Sequence, residues 1–310
     1  MSVATALTIQ GSSAADQPAS TGQPDRKFQI CLSPGMISVR ANIQDSIALA
    51  SELGFEAVEP QIGGLAPMSP EAMASLRDEL KARNLVWGAT GMSMPLGGSD
   101  DSFKAWLPKL DGMAAALQRA GASRLGTWIT PGDNRLTYLQ QFHRLARRTA
   151  DIAKVCDDHG IRFGLEYLGP KTMRSRYRFQ FIHTSREMLE LIAETGAKNV
   201  GLIVDSWHWY NAGETPDDIR KLTNDQIVWV HLNDAPAGIP LDQQIDNHRA
   251  LPASTGVINV SGFLSALIAI GYDGPVSAEP FDDSLGRMPK EQAAKLTIDA
   301  IHKALAEVHG

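Results

Sequence analysis

From Phe28 onward, short apolar runs alternate eight times with longer amphipathic segments. The apolar runs lack the polar alternation of a half-exposed strand, and this is typical of strands buried on both faces of a parallel sheet. The predicted strands are Phe28–Leu32, Ala57–Glu59, Val86–Ala89, Arg124–Trp128, Ile161–Leu165, Val200–Val204, Ile227–Val230 and Pro275–Ala278. Eight strand–helix units in a chain of 310 residues predict an α/β fold with a single (β/α)₈ (TIM) barrel.

Start and stop signals place the helices between these strands. Ser69-Pro70-Glu71 is typical of a helix start, and Gly54 and Gly196 are typical of helix ends. The predicted helices are Asn42–Leu53, Ser69–Arg83, Asp101–Ala120, Asn134–His159, Ser185–Thr195, Pro216–Leu222, Ser261–Ile270 and Pro289–Val308. A doubly wound open sheet is the alternative, but the first strand is not followed by a glycine-rich phosphate-binding fingerprint.

Residues 1–26 do not continue this pattern. They are mostly Ser, Ala, Thr, Gln, Gly and Pro, without a periodic apolar face. We therefore expect residues 1–26 to be a disordered tail and residues 27–310 to form the barrel domain. A secretion signal is the alternative for this segment, but no basic residue precedes Arg26.

The charge and cysteine content restrict the class of partner. Lys and Arg total 29 and Asp and Glu total 35, a formal net charge of −6, which argues against a nucleic-acid partner. No apolar run approaches the ~20 residues of a membrane span. Cys31 and Cys156 are too few for a disulfide framework or a cysteine zinc site. These features predict a cytoplasmic protein that acts on a small molecule, with no nucleic acid and no membrane as partner.

Four consecutive strands of the second half end on a potential metal ligand. The apolar runs stop at Glu166, Asp205, His231 and Glu279. In a closed barrel the C-terminal strand ends surround one mouth, so these side chains converge. Asp205 alone is equally well explained as the N-cap of the next helix, but four such residues in register are not.

Three carboxylates in one buried mouth would repel one another unless a cation neutralises them. The pattern therefore predicts a site for one divalent metal. Oxygen-rich ligation with one histidine favours Mn²⁺, Mg²⁺ or Co²⁺, while Zn²⁺ and iron remain alternatives.

The second half of the chain resembles the xylose-isomerase-like barrel superfamily. The likeness is to sugar isomerases and epimerases of the tagatose/psicose 3-epimerase, inosose isomerase and hydroxypyruvate isomerase type. The layout matches over residues 28–308, but the motifs lie in the second half. They are Asp205-Ser-Trp-His208, His231-Leu-Asn-Asp234, Arg249 followed by Pro252, and Glu279-Pro280-Phe281.

The resemblance implies that one divalent metal, Mn²⁺ by preference, is held by Glu166, Asp205, His231 and Glu279. It also implies that Glu166 and Glu279 are the catalytic pair, which exchange protons with a ketone-bearing carbohydrate through an enediolate. The expected assembly is a homo-oligomer, either a dimer or a tetramer.

Two further residues are implied to contact substrate oxygens, namely His208 and Arg249. Each has a simpler interpretation. His208 lies between Trp207 and Trp209 and could be packed against them, and Arg249 could be a solvated loop charge.

The chain departs from the family pattern in two loops. Residues 252–256 read Pro-Ala-Ser-Thr-Gly, where the family usually has a tight Pro-Gly-x-Gly. The loop after Glu166 carries a basic run, Lys171, Arg174, Arg176 and Arg178. That run is either a solvated lid or a recognition site for an acidic or phosphorylated sugar. A keto-sugar, a keto-glycoside and a keto-inositol therefore all remain candidate substrates.

Other functions fit the same barrel. A non-catalytic sugar-binding barrel would be expected to lack Glu166 or Glu279, and both are present. A type IV apurinic endonuclease needs a histidine-rich zinc cluster and a basic face, whereas this chain has eight histidines and a net negative charge. The sequence does not decide between epimerisation and aldose–ketose isomerisation.

Overall fold

A computed structural model describes residues 26–308, and its main feature is a barrel of eight parallel strands. The strands are β1 (Gln29–Leu32), β2 (Ala57–Val58), β3 (Val86–Trp87 and Thr90–Gly91), β4 (Arg124–Trp128), β5 (Arg162–Glu166), β6 (Val200–Asp205), β7 (Ile227–Leu232) and β8 (Pro275–Ala278). The first segment of β3 pairs with β2, and the second pairs with β4. Because β1 also pairs with β8, the pairing runs around the full circle, and the predicted (β/α)₈ fold is confirmed.

The helices surround the barrel, and their ends follow the predicted caps. Ser69 accepts a hydrogen bond from the backbone N–H of Ala72. Gly54 and Gly196 end their helices at φ 84° and 69°, a backbone conformation that favours glycine. None of the described helices is long and apolar enough to cross a membrane. The α-helices are Ile43–Leu53, Ile62–Leu65, Pro70–Ala82, Asp100–Ala120, Tyr138–Asp158, Lys171–Arg174, Ser185–Thr195, Ser206–Asn211, Pro216–Arg220, Val260–Ala269 and Lys290–Ala306.

The helix predicted to begin at Asn134 begins instead at Tyr138. The carboxylate of Asp133 accepts hydrogen bonds from the backbone N–H groups of Arg135 and Leu136, at 2.6 and 2.9 Å, and this holds the preceding residues in a turn. Thr137 then caps the helix. Local side-chain bonds of this kind compete with helix formation, and that is why the helix starts four residues late.

The floor of the barrel mouth depends on a size match between strands. Ile203 of β6 projects inward and fills the space beside Gly126 and Gly164. A Cβ atom on either glycine would lie within 2.8 Å of the Ile203 side chain. Trp229 of β7 is buried in the same interior cluster. These side chains close the barrel below its C-terminal mouth and leave the space above them open for a ligand.

Arg26 marks the point where the described chain joins the barrel. Its guanidinium donates two hydrogen bonds of 2.8 Å to Glu56, and a third of 2.6 Å to the carbonyl oxygen of Phe28. Of the predicted tail, residues 1–25 lie outside the described part of the chain. Their disorder, and the domain boundary after residue 26, therefore stay predictions.

We predict that deleting residues 1–25 leaves the melting temperature unchanged, whereas Arg26→Ala in the full-length chain lowers it by about 2 °C. The reason is that Arg26 pairs with the barrel through a bidentate contact. Differential scanning calorimetry of the two variants beside the full-length protein measures the difference. A large loss of stability on deletion of residues 1–25 would contradict the proposed boundary.

Candidate metal centre and active-site cavity

The ends of β5, β6, β7 and β8 bring the four predicted ligands together. Glu166 and Asp205 are the last residues of their strands, and Glu279 directly follows β8. In the strand register, His231 lies opposite Asp205. One ligand atom from each of the four residues lies within 4.8 Å of the others. The parallel register thus places all four side chains at one point of the mouth.

The three carboxylates all approach one nitrogen of His231. Its Nδ1 lies 3.0 Å from Glu166 Oε1, 3.2 Å from Glu279 Oε2 and 3.5 Å from Asp205 Oδ2. A single N–H cannot serve three acceptors well. A separation of about 3 Å between ligand atoms is, however, expected around one metal ion that binds each of them at about 2.0–2.3 Å. The donor set therefore fits one divalent cation.

Electrostatics supports the same interpretation. Burial raises the pKa of Glu166, although His231 opposes the effect. Burial would lower the pKa of His231, but Glu279 and Glu166 outweigh it and hold that pKa well above the usual range. Burial would raise the pKa of Asp205, but Arg249 and a hydrogen bond from His231 outweigh it and hold the pKa well below the usual range. The cluster is thus an anionic site, and a nearby positive charge stabilises it.

Arg249 supplies part of that charge. Its Nη1 lies 2.9 Å from both Asp205 Oδ2 and Glu279 Oε2. Its Nη2 donates to Asp246 at 2.8 Å and to His208 Nε2 at 3.2 Å. The side chain is 2% exposed, so Arg249 is a buried member of the cluster and not a solvated loop charge.

His208 is buried behind Arg249. Because its Nε2 accepts from the guanidinium, Nδ1 carries the proton, and Nδ1 has no hydrogen-bond partner among the described residues. Neither His208 nor Arg249 belongs to the described residues that line the mouth cavity. Their contact with substrate stays a prediction, whereas their contact with each other is a feature of the structure.

Asn233 was not predicted, although it positions two of the candidate ligands. Its amide nitrogen donates to Asp205 Oδ2 at 3.1 Å, and its amide oxygen accepts from the backbone N–H of Glu279 at 2.9 Å. The next residue, Asp234, accepts four backbone N–H groups, among them those of Thr255 and Ile258. Asp234 therefore fixes the loop that carries Arg249 and does not join the ligand cluster.

The cluster opens into a cavity of about 310 Å³. Larger grooves exist on the surface, such as one of about 520 Å³ beside residues 183–189, but the four-residue cluster does not border that groove. Glu59, at the end of β2, lines the cavity and was not predicted to be a site residue. Its sequence signal is the same as that of the predicted ligands, an apolar strand that ends on a carboxylate. The other lining side chains of the mouth include Met36, Met92, Ser93, Thr127, Trp128, Glu166, Ile203, Trp229, His231 and Glu279.

The basic run after β5 is tied to the loop after β7. Lys171 forms an exposed ion pair with Asp242 at 3.3 Å, and the Thr172 hydroxyl donates to the carbonyl oxygen of Gln244 at 2.6 Å. Arg174 donates to the carbonyl oxygen of Gly169. The described lining of the cavity includes none of the four basic residues, so recognition of an acidic or phosphorylated sugar stays a prediction.

Comparison with known proteins places the chain in a family. The chain belongs to the xylose isomerase-like TIM barrel family, whose model matches residues 47–304. An inosose isomerase from Halalkalibacterium halodurans is 26% identical over 149 residues, which are 48% of this chain and 50% of the relative. That alignment therefore spans about half the length of the curated relative.

Two solved structures share the fold over most of the chain. A xylose isomerase domain protein from Alicyclobacillus acidocaldarius has 29% identity and a TM-score of 0.76, with coverage of 90% of this chain and 99% of the other. The IolI protein, solved with a bound zinc atom, has 16% identity and a TM-score of 0.76, with coverage of 91% and 100%. At 16% identity the second likeness shows the fold alone.

Proposed function

We propose that this protein is a divalent-metal-dependent isomerase or epimerase of a ketone-bearing carbohydrate. The observation that carries the proposal is the convergence of three carboxylates on His231 Nδ1 beside the cavity at the barrel mouth. Membership of the xylose isomerase-like family and similarity to an inosose isomerase support the substrate class. A keto-sugar, a keto-glycoside and a keto-inositol all fall within it.

Glu166, Asp205, His231 and Glu279 are the proposed metal ligands. Mn²⁺ is the proposed ion because oxygen donors dominate the set, and Mg²⁺, Co²⁺ and Zn²⁺ are the alternatives. When bound, the cation would polarise the substrate carbonyl and acidify the neighbouring C–H bond. The IolI protein, which shares the fold, was solved with a bound zinc atom.

The hydrogen bonds separate two kinds of carboxylate in the cluster. Asp205 has both oxygens engaged, Oδ1 by the backbone N–H groups of Trp207 and His208 and Oδ2 by Asn233 and Arg249. A carboxylate held in this way has a fixed orientation and no oxygen left for proton transfer. Asp205 is therefore proposed to be a structural ligand.

Glu166 and Glu279 differ from Asp205 in this respect. Glu166 joins the cluster through Oε1, and Glu279 joins it through Oε2. The remaining oxygens, Glu166 Oε2 and Glu279 Oε1, accept no hydrogen bond from the described residues, and both side chains line the cavity. Each glutamate can therefore hold its place with one oxygen and exchange a proton with the substrate through the other.

Their separation around the barrel makes a two-base reaction feasible. β5 and β8 are three strands apart, so the two carboxylates approach the cavity from different sides. We propose that one takes a proton from the carbon beside the carbonyl, and that the resulting enediolate is reprotonated by the other. Protonation of the same carbon on its opposite face gives epimerisation. Protonation of the neighbouring carbon, with transfer of the hydroxyl proton to the former carbonyl oxygen, moves the carbonyl.

The alternatives have less support. A non-catalytic barrel does not account for two glutamates that each keep a free oxygen toward the cavity. For an apurinic endonuclease, the described part of the chain offers one candidate metal cluster with a single histidine, and the formal net charge of −6 opposes DNA binding. The expected dimer or tetramer stays a prediction.

Asp205→Ala and His231→Ala are each expected to abolish stoichiometric metal binding, because each removes a buried ligand. At free metal 100 times Kd, the wild-type protein should gain about 2.7 kcal/mol of stability that the variants lack. Metal content by mass spectrometry, together with thermal melts with and without Mn²⁺, measures both effects. Glu214→Gln is the matched control, since Glu214 is a buried carboxylate bonded to Ser185 and Tyr167 outside the cluster. Full metal content in both ligand variants would contradict the proposed site.

Glu166→Gln and Glu279→Gln should each lower kcat by about 10²–10⁴-fold while changing substrate affinity much less, because glutamine keeps the shape and loses the base. NMR in D₂O with D-tagatose, D-fructose and 2-keto-myo-inositol follows turnover and deuterium incorporation. One variant is expected to exchange the substrate C–H without forming product. Near wild-type turnover by both variants would rule out the two-glutamate mechanism.

A further inference from the structure

A fourth carboxylate faces the cavity from the side away from the candidate metal centre. Glu59 directly follows β2, which lies four strands around the barrel from β6. It lines the same cavity as Glu166, His231 and Glu279. A substrate held at the metal centre would therefore extend its distal end toward Glu59.

The carboxylate of Glu59 has few partners of its own. The Thr90 hydroxyl donates to Oε1 at 3.1 Å, while Oε2 accepts no hydrogen bond from the described residues. No described Lys, Arg or His side chain lies within ion-pair distance of it. Burial raises the pKa of Glu59 to about 7. A carboxyl group in this setting, whether ionised or neutral, is stabilised by a hydrogen bond with a polar group that enters the cavity.

Several carboxylates outside the cluster have both oxygens engaged by hydrogen bonds within the fold. Asp234 accepts four backbone N–H groups, and Glu214 accepts from Ser185 and Tyr167. Glu56, on the other side of β2, has a bidentate bond with Arg26. A purely structural role would leave Glu59 equally well paired, and it is not.

The wall of the cavity is largely apolar. It includes the side chains of Met36, Met92 and Trp128. A carboxylate with an unpartnered oxygen in such a wall is typical of a pocket that orients a ligand through a few polar contacts.

We propose that Glu59, supported by Thr90, binds one hydroxyl group of the substrate at the end of the cavity distal to the metal centre. Glu59 thereby selects carbohydrates that carry a hydroxyl at that position. The inference rests on the proposed function, because it takes the substrate to be a polyhydroxylated ketone. It assigns Glu59 to substrate specificity and not to proton transfer or metal ligation.

Glu59→Leu removes the hydrogen-bond acceptor and puts an apolar side chain in its place. Glu59→Gln keeps the shape of the side chain and part of its hydrogen bonding. Calorimetric Kd values are measured for D-tagatose, D-fructose, 2-keto-myo-inositol and the monodeoxy derivatives of each, with the Mn²⁺-loaded protein. Wild type is expected to bind one monodeoxy derivative about 10- to 100-fold more weakly than its parent. Glu59→Leu should bind the parent compound more weakly than wild type by a similar factor. It should bind that monodeoxy derivative no more weakly than wild type does. The Kd of Glu59→Gln for the parent compound should lie between those of wild type and Glu59→Leu.

Glu56→Gln is the matched control, because Glu56 flanks the same strand but bonds Arg26. It should leave all of these Kd values unchanged. A uniform loss across every derivative, no change in Glu59→Leu, or loss of bound Mn²⁺ from that variant would overturn the proposal. Absence of binding by every compound to the wild-type protein would overturn it as well. Binding with the predicted deoxy pattern but without deuterium exchange would retain the role of Glu59 and reject the proposed function.

Discussion

The mutual repulsion of buried carboxylates is the constraint on which this site depends. Three of them approach His231 Nδ1 within 3.5 Å, where charges interact far more strongly than in water. The protein offsets part of that repulsion with the guanidinium of Arg249, which bonds Asp205 and Glu279. A divalent cation at the point where the donors converge would offset the rest. The same charge would stabilise a negatively charged substrate oxygen.

The barrel supports this arrangement of buried charges in two ways. Parallel strands bring side chains from distant parts of the sequence to one mouth, so no single segment has to hold several anions. The interior below is closed by Ile203 and Trp229, with Gly126 and Gly164 leaving room for the isoleucine. The ligands therefore stand on a packed floor, and the cavity above them opens between the metal centre and Glu59.

The sequence predicted those features that follow from strand periodicity and chain direction. The eight strands and the meeting of Glu166, Asp205, His231 and Glu279 could be predicted because every parallel strand ends at the same mouth. The burial of Arg249 could not, because it depends on a long loop that Asp234 folds back through backbone hydrogen bonds. Glu59 was not predicted to be a site residue, although the predicted strand Ala57–Glu59 ends on it, because the motifs that carry the family resemblance lie in the second half of the chain. The late helix start at Tyr138 was missed because the side chain of Asp133 bonds the backbone ahead of it.

Crystals of the Mn²⁺-loaded protein, with diffraction data collected at the manganese absorption edge, test the central claim most directly. The account predicts one anomalous peak per chain, about 2.0–2.3 Å from oxygens of Glu166, Asp205 and Glu279 and from His231 Nδ1. A mouth without such a peak, with Mn²⁺ bound elsewhere and the carboxylates neutralised by Arg249 and His231 alone, would contradict it.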